Sequence, residues 1–496
     1  MSKKQKSKKQ NIPDSSSFST SLAQFFARQS KFPLSYEASF VVMGLIFGLM
    51  FVFINPPFHS NDEDRHFLKA YHLMETGIMP EISPDSSKIG GMLPVNLINV
   101  VGSFQGIPYH LGKKLDKRTV EQRSQIPLNE NQKAFHNNMQ YKSPPFSYYP
   151  HMIGLAIGKQ FNSNPVSLGY SARIGGLVFY LAVMFIIIGK VPVYKEMFFM
   201  LGLTPMALYQ MSSVTYDLFN YLAVFSFLAI FLYYTFTDSA RVTTKALIFF
   251  ILLAILSHQT KKGYFLLPLV MLLIPNKKFD IKFNIKIIKA LVGIFFLYLA
   301  TGPYWIWPFV MSDVKLGAGH SFPKFQTDFR INAGEQMQLL MGDPLGTIAI
   351  IWKNILHFRH EWLGGIMGRF GYSYSLLPNT FFMFHGIVLI VVAFICGREK
   401  YKVSNIKKWS IFSLGALTAL AIIVGFLRIS PVGAEMIFGL QGRYFLPTVP
   451  FILFLLYNSS IKIPIWEKWG STILTAYCFV MLSYVYGQMD VLFYEF

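Results

Sequence analysis

Cysteine and acidic residues are scarce in this chain, and both shortages exclude classes of protein. Only two cysteines occur among 496 residues, Cys396 and Cys478, and both lie within apolar runs. Such cysteines cannot be the basis of a disulfide framework or a cysteine metal site. Aspartate and glutamate number 25, against 45 lysines and arginines, which leaves a net charge of +20. Because no basic motif with interleaved aromatic residues accompanies this charge, the sequence does not indicate a nucleic-acid-binding protein.

Apolar residues, in contrast, are abundant: 53% of the chain is hydrophobic and 17% is aromatic. A transmembrane helix needs about 20 mostly apolar residues, and the sequence offers about eleven such runs. Most lysines and arginines fall in short segments between the runs, as they do in the cytoplasmic loops of membrane proteins. The sequence therefore predicts an all-α polytopic membrane protein with about eleven transmembrane helices, its N-terminus inside the cell and the lipid bilayer as a partner.

Two long segments between apolar runs are predicted to lie outside the cell. Residues 1–37, which begin with a cluster of lysines, are predicted to form a disordered, basic cytoplasmic tail. A transmembrane domain is predicted over 38–496, and its first helix carries the chain outward. This orientation makes 55–167 the first large extracytoplasmic loop and 310–378 the second. A loop as long as the first is expected to be partly structured and to carry function.

Three consecutive acids, Asp62, Glu63 and Asp64, follow the first apolar run. Ser60 and Glu63 match a capping box, so Glu63 either caps a helix that begins here or takes part in chemistry. The box does not need Asp62, and a carboxylate held at a helix start just outside the membrane could act as general base for a hydroxyl. His66 lies one turn after Asp62 on the same helix face, where it could bind a phosphate or a metal. A single histidine is more often structural.

Several cations fall on the predicted outer side, against the usual distribution of charge in membrane proteins. Counting of loops puts Lys261 and Lys262 there, together with Arg428 and Arg443. Arginine can bind a phosphate through two parallel hydrogen bonds, and lysine can act as a point charge. These residues are therefore candidates for holding a phosphate group at the membrane surface. The alternative is that each long side chain only extends to the interface.

Aromatic and acidic residues add candidates for substrate binding. Tyr148 and Tyr149 follow a proline-rich turn that precedes a short apolar segment. Tyrosines in this setting could stack on a sugar ring or an isoprenoid chain, while an aromatic belt at the membrane interface is the simpler alternative. Asp217 lies at the predicted outer end of a helix, where it is a binding residue; the alternative is that Thr215 or Asp217 is the helix N-cap.

Four short motifs together resemble a known family. They are Asp62-Glu63-x-x-His66-Phe67, Ser213-x-x-x-Asp217, Lys261-x-x-Tyr264 and Gln441-Gly-Arg-Tyr-Phe-Leu-Pro447. Over roughly residues 38–460 the chain resembles bacterial multi-pass membrane proteins classed as a domain of unknown function, and that group is similar to the GT-C glycosyltransferases. Such proteins often carry Gly-Trp-x-Asp before a Leu-Pro in the last large loop. This chain has Gly371-Tyr372-Ser373-Tyr374 instead, which puts any role for that acid in doubt.

The resemblance implies a GT-C-like fold and an enzyme of the bacterial plasma membrane with its active site outside. The implied donor is a sugar on a polyprenyl phosphate such as undecaprenyl phosphate, and the implied acceptor is a hydroxyl of a cell-envelope glycan. Asp62, with Glu63 beside it, would take the acceptor proton, and direct displacement would invert the anomeric carbon. The residues implied to bind the donor phosphate are Lys261, Lys262, Arg443 and His66. The residues implied to bind substrate are Tyr148, Tyr149, Asp217, Tyr264 and Gln441.

The sequence leaves three further points open. Carboxylates and phosphate oxygens suit Mg²⁺ or Mn²⁺, but no ligand set is evident, so a metal cofactor is neither required nor excluded. A flippase or transporter of lipid-linked saccharides is an alternative function, although it would place ionisable residues at mid-membrane depth rather than at the ends of apolar runs. A polymerase or ligase of lipid-linked saccharides would need the same outward site and the same cations, so the sequence does not separate it from the transferase.

Overall fold

Helices joined by short 3-10 segments make up most of the molecule. The computed structural model describes residues 35–77, 79–83, 88–105, 113–138, 140, 143–161, 164–301, 331–371 and 376–495. The predicted disordered tail at 1–37 therefore lies almost wholly outside the described residues. Helix α1, Tyr36–Ile54, begins where the Ser35 side chain accepts a hydrogen bond from the backbone N–H of Ala38 (3.3 Å). Its position agrees with the first predicted apolar span.

The segment after α1 folds into short helices around a small antiparallel sheet. In chain order it contains α2 (Glu63–Thr76), β1 (Glu81–Ile82), β2 (Ile89–Pro94), α3 (Val95–Gly102), α4 (Lys117–Ser124), β3 (Lys133–Asn137) and α5 (Tyr149–Phe161). The strands pair in the order β1-β2-β3. A Cβ atom at Gly90 of β2 would collide with the backbone carbonyl of His136 in β3, so this position requires glycine. The prediction of an all-α protein missed this sheet because glycines interrupt the alternation of apolar residues that indicates a strand.

The central helices follow this segment directly. They are α6 (Pro165–Lys190), α7 (Lys195–Gly202), α8 (Pro205–Met211) and α9 (Asp217–Phe236). Helix α6 packs against α1, α5 and α9. One predicted apolar span, at 196–212, is in fact the two short helices α7 and α8. The break follows from Pro205, which has no N–H to continue α7 and instead occupies the first turn of α8, with Thr204 as its N-cap.

The second half of the chain adds further helices and one short pair of strands. They are β4 (Val242–Thr243), α10 (Thr244–Thr260), β5 (Phe279–Asp280), α11 (Ile285–Thr301), α12 (Ala333–Gly342), α13 (Pro344–Met367), α14 (Asn379–Ile395), α15 (Asn405–Arg428), α16 (Val449–Leu453) and α17 (Pro464–Phe493). The strands β4 and β5 run parallel. Two 3-10 segments, Lys262–Tyr264 and Gly442–Thr448, carry residues of the candidate site.

Fewer helices are long enough to cross a membrane than the sequence predicts. Within the described part of the chain five qualify by length and composition, namely α1, α6, α9, α15 and α17. Helices α12 and α13, bent by 109°, qualify together as a broken span or a re-entrant loop. They lie in the segment 310–378 that the sequence predicts to be a loop. The architecture is that of a polytopic helical membrane protein, but a count of about eleven spans is not confirmed.

The two ends of this bundle differ in structure. At the end that we call the capped end, Arg173 of α6 binds Glu63 at the start of α2, and α3 and α4 pack against α6. The backbone N–H of Leu115 there bonds to the carbonyl of Phe493 at the end of α17 (2.8 Å). Three ion pairs lie at the opposite end, one of them with a buried carboxylate. They are Lys195 with Glu37, Arg398 with Glu196 and Lys462 with Glu399.

Candidate functional site

A buried ion pair fixes the chain where it leaves α1. Arg173 of α6 is 1% exposed, and Glu63 at the start of α2 is fully buried. The guanidinium donates to both carboxylate oxygens of Glu63, at 2.7 Å from Nε and 2.6 Å from an Nη. Its remaining hydrogens bond to the carbonyls of Val52, Asn55 and Pro56, at 2.7 to 2.8 Å. Arg173 thus uses all its donors and neutralises the negative end of the α1 helix dipole.

Glu63 is equally well satisfied. One of its oxygens accepts from the backbone N–H of Val214 (2.9 Å) and the other from that of Ser60 (3.2 Å), in addition to Arg173. The bond from Ser60 is one half of the predicted capping box. The other half is missing because the Ser60 hydroxyl lies 2.5 Å from that of Ser213. With its acceptor positions occupied, Glu63 positions the segment around it, and the predicted catalytic role of Glu63 gains no support from this geometry.

Asp62, next to Glu63 in the chain, has an unusual backbone conformation. Its φ is +57°, in the left-handed region, and the side chain is 41% exposed. The nearest cation among the described residues is Arg65, whose guanidinium is 4.0 Å from the Asp62 carboxylate. Aspartate tolerates this conformation better than most residues because its short polar side chain can bond locally. Asp62 is therefore a carboxylate that remains open to solvent on one side.

A chain of polar side chains connects this segment to distant parts of the sequence. We call it the polar cluster, and it consists of Asn61, Gln210, Asp217, Lys261, Gln441 and Arg443. The amide of Asn61 donates to Gln441 (3.0 Å), and Arg443 donates to the same Gln441 oxygen (2.7 Å). Arg443 also donates to Gln210 (2.8 Å). Asp62 is close enough to attract Arg443 electrostatically.

Asp217 lies between the two cations of the polar cluster. Lys261 donates to one carboxylate oxygen at 2.9 Å, and Arg443 approaches the other at 3.4 Å. The Tyr444 ring lies 3.8 Å from the Lys261 ammonium, a cation–π contact. Asp217, Arg443 and Tyr444 border a pocket of about 20 Å³, which holds about one water molecule. Neither of the two predicted N-cap residues occupies that position, which is held by Tyr216, but the Thr215 hydroxyl accepts from the backbone N–H of Asp217 (3.1 Å).

Tyr264 and Gln441, both predicted to bind substrate, hold the Gly442–Thr448 segment in place. The Tyr264 hydroxyl donates to the backbone carbonyl of Tyr444 (3.0 Å). Gln441 is the bridge between Asn61 and Arg443 described above. Lys262, in contrast, takes part in a different group, since Arg428 acts on it electrostatically. Lys261 joins Arg443 through their shared contact with Asp217.

His66 and Tyr148 form a second buried contact under α2. The His66 Nδ1 and the Tyr148 hydroxyl are 2.7 Å apart, and the Lys69 ammonium lies 4.7 Å from the Tyr148 ring. Lys69 also donates to the carbonyls of Gln140 and Ser143, which anchors the proline-rich turn. His66 faces Tyr216, at 5.2 Å between rings. Tyr149, the neighbouring predicted residue, is 49% exposed.

The acids of the site do not form a metal-binding set. Within the described residues no group of three or more histidine, cysteine, aspartate or glutamate side chains could hold a metal ion. Glu63 is occupied by Arg173, Asp217 by Lys261 and Arg443, and Asp64 accepts from the amide of Gln105 (2.9 Å). The residues present therefore do not fit Mg²⁺ or Mn²⁺, and no catalytic step is assigned to a metal.

Burial of His66 makes the stability of the folded protein depend on pH. Loss of hydration lowers the pKa of His66 to about 3, against an opposing effect of Asp217. The pKa of His59 is likewise lowered to about 3, chiefly by burial and next by Arg173. Both imidazoles are therefore neutral in the folded protein, whereas in the unfolded chain they protonate near pH 6.5.

Stability is therefore expected to fall as the pH decreases from about 6.5 towards 3, because the unfolded chain binds protons that the folded one excludes. Each of these two histidines contributes up to about 4–5 kcal/mol of this loss. A His66→Gln variant should lose less stability over this interval, measured as the unfolding midpoint between about pH 4 and 8. The exposed His357 provides the control. Equal pH dependence of wild type and His66→Gln would contradict the prediction.

Sequence reasoning did not identify several residues that hold this arrangement together. Arg173 has a visible signal, since it is a charged residue inside an apolar run, and such residues are usually paired and functional. Asn61 and Gln210 have none, because an uncharged amide is common at any helix end. Tyr216 and Tyr444 resemble ordinary interfacial tyrosines in the sequence.

Comparisons with known proteins give a family but no function. No curated protein and no solved structure matches the chain. The family model described as "Predicted membrane protein (DUF2142)" matches residues 45–452, which include the second half of α1 and all residues of the candidate site. A similarity to GT-C enzymes is not confirmed by these comparisons. The match covers most of the chain, and the protein therefore belongs to the DUF2142 family of predicted membrane proteins.

Proposed function

We propose that this protein is a membrane glycosyltransferase. It moves a sugar from polyprenyl phosphate, with undecaprenyl phosphate as the expected carrier, to a hydroxyl of a cell-envelope glycan. The observation that carries the proposal is at the capped end, where the exposed Asp62 carboxylate is close enough to act electrostatically on Arg443, and Arg443 and Lys261 meet at Asp217. These residues come from three distant parts of the chain, and they supply the two functions that the transfer needs, a base and a phosphate-binding site.

Asp62 serves as the general base. An alcohol is a poor nucleophile until a base takes its proton as the new bond forms. In this reaction the acceptor oxygen bonds to the anomeric carbon, its proton passes to the Asp62 carboxylate, and the bond from that carbon to the phosphate oxygen breaks. The leaving polyprenyl phosphate keeps the electron pair. Displacement from the opposite face inverts the anomeric carbon.

Lys261 and Arg443 stabilise the leaving phosphate. Both now bind Asp217, and the pocket beside them is too small for a phosphate group. A donor phosphate would replace the Asp217 carboxylate as their acceptor, which requires Asp217 to move aside. Once Asp217 has moved aside, the guanidinium and the ammonium are held beside the phosphate and stabilise its developing negative charge. Tyr444, stacked on Lys261, keeps the ammonium in position.

The active site faces the outside of the bacterial plasma membrane. Support comes from the opposite end of the bundle, where the short connections carry several lysines and arginines. They are Lys190, Lys195, Arg398, Lys400, Lys402 and Lys462. Because cytoplasmic loops collect such residues, this end belongs in the cytoplasm and the capped end outside.

A cysteine placed at Ser103, exposed at the capped end, is expected to react with a membrane-impermeant thiol reagent in intact cells. Ser460, exposed at the opposite end, gives the matched variant, which should react only after the cells are permeabilised. The native Cys396 and Cys478 are buried and provide a low background. If only the Ser460→Cys variant is labelled in intact cells, the orientation is the opposite of the one proposed.

Transfer itself is tested with the purified protein in lipid nanodiscs, a radiolabelled sugar on undecaprenyl phosphate and extracted envelope glycan as acceptor. Mass analysis of envelope glycans from cells with and without the gene identifies the product. An Arg443→Gln variant is expected to transfer about a hundredfold more slowly, because one stabilising donor to the phosphate is lost. Lys353→Gln, which removes an exposed lysine from an ion pair with Glu435, is the control. Equal rates for both variants would exclude Arg443 from donor binding.

A further inference from the structure

A second cavity lies at the capped end, away from the polar cluster. Four elements converge on it, namely the end of α1, helix α4, the start of α6 and the end of α17. The lining residues used here are Phe53, Lys117, Glu121, Tyr170, Tyr486 and Tyr494. We call this cavity the tyrosine pocket. Its volume is about 250 Å³, slightly below the roughly 300–1,000 Å³ of sites for drug-sized ligands, which suits a single small ring.

We infer that the tyrosine pocket binds one uncharged sugar ring. Three tyrosines and Phe53 provide apolar faces for the ring, and Phe53 and Tyr170 lie 5.1 Å apart. The hydroxyls of Tyr170 and Tyr486 are close enough to Tyr494 to act on it electrostatically. Within the described residues none of these three hydroxyls has a hydrogen-bond partner. Phenol groups left in this state can bond to the hydroxyls of a sugar.

The charges around the pocket argue against an anionic ligand. Lys117 is already paired with Asp490, at 3.1 Å between ammonium and carboxylate, and it lies 5.2 Å from the Tyr494 ring. The other charged lining residue is Glu121, which would repel a phosphate. A lipid headgroup bearing a net negative charge therefore meets no available cation here. An uncharged ring with several hydroxyls meets acceptors, donors and aromatic faces.

An aromatic belt at the membrane interface is the simpler explanation for tyrosines in this region. Belt residues are spread around a bundle, because each one contacts the interface separately. These three tyrosines instead come from two helices and the chain end and border one cavity. Two contacts hold this cavity in position. The backbone of Glu495 bonds to Leu115 (3.2 Å), and the Tyr170 ring lies 5.7 Å from the Arg173 guanidinium.

The position of the pocket suggests its role. Tyr170 contacts Arg173, which binds Glu63, the residue next to Asp62. A sugar unit held here would be part of the acceptor glycan, anchored on the other side of the buried ion pair from the reacting hydroxyl. This role as acceptor subsite rests on the proposed function, whereas the inference that the pocket binds a sugar ring is independent of it.

The test uses the full-length protein in nanodiscs of phosphatidylcholine and saturation-transfer NMR. The probes are the methyl glycosides of glucose, galactose and mannose, together with N-acetylglucosamine. We expect signals from the ring protons of at least one probe in the wild type and at least a fivefold weaker signal in Tyr486→Ala. Tyr484→Ala, on the same helix and 45% exposed, is the matched control and should retain the signal. Protection of the buried Cys396 and Cys478 from thiol dyes verifies folding of both variants.

Absence of signal for all four probes in the wild type overturns the inference, and so does an equal signal in wild type and Tyr486→Ala. Retention of phosphatidylglycerol that depends on Tyr486 would make the pocket a lipid site, which also overturns it. The proposed function is judged separately. Asp62→Asn should retain the sugar signal while losing transfer, so sugar binding without any transfer by the wild type would reject the transferase and leave the pocket intact.

Discussion

Asp62→Asn is expected to lower the rate of sugar transfer about a thousandfold, because an amide cannot accept the proton of the acceptor hydroxyl. The substitution is nearly isosteric, and asparagine also tolerates the left-handed conformation that this position requires. The folded structure should therefore persist. The rate is measured with labelled donor at saturating acceptor, so that a loss in chemistry is separated from a loss in binding.

Asp64→Asn is the control for this substitution. Asp64 lies two residues further along the chain and is partly buried, and it accepts a hydrogen bond from Gln105. Removing its charge changes the local electrostatics by a similar amount without removing the proposed base. Transfer by Asp62→Asn within about twofold of the wild type would falsify the assignment of Asp62 as base.

Arg173→Met is expected to destabilise the protein by about 3–5 kcal/mol, because it leaves the Glu63 carboxylate buried without a partner. Three backbone carbonyls at the end of α1 lose their donors as well. Thiol-reactive dye provides the measurement, since Cys396 and Cys478 are buried and become reactive only on unfolding. The dye should report a much lower unfolding temperature for this variant.

Two further variants test whether the unpaired Glu63 carboxylate causes this loss of stability. Lys353→Met breaks an ion pair whose side chains are 59% and 63% exposed, and such pairs contribute only about 0–1 kcal/mol. The double variant Arg173→Met with Glu63→Leu removes both buried charges and should recover part of the lost stability. If the double variant is less stable than Arg173→Met alone, burial of the unpaired carboxylate is not the cause.

The long helices could be predicted from sequence because their signal extends over many residues. Helices α1, α6, α9, α15 and α17 each contain a wide apolar window, and all correspond to predicted spans. Other apolar runs were misleading. The runs at 263–275 and 443–457 form mostly 3-10 segments, in which Pro268 and Pro447 remove donors that an α-helix needs. Composition alone does not distinguish these cases.

The candidate site was partly predictable for an electrostatic reason. Lys261 and Arg443 stood out as cations on the wrong side, and the structure brings them together around Asp217. Lys262, chosen by the same reasoning, lies near Arg428, and its predicted role stays a prediction. The tyrosine pocket gave no signal, because its residues are distant in the chain and tyrosine is common in membrane proteins. The predicted roles of Asp62, Lys261 and Arg443 remain to be measured.

The Arg173–Glu63 pair also has a consequence for biosynthesis. The two residues are separated by 110 positions, so the ribosome needs roughly 5–20 s to reach the arginine after it has made the glutamate. During that interval the carboxylate must stay hydrated, and the first helix cannot acquire its final surroundings. Insertion of helix α6 is then the step at which Arg173 reaches Glu63 and the ion pair becomes buried. Translational pausing or a truncation before Arg173 would leave a nascent chain that quality-control proteases can recognise.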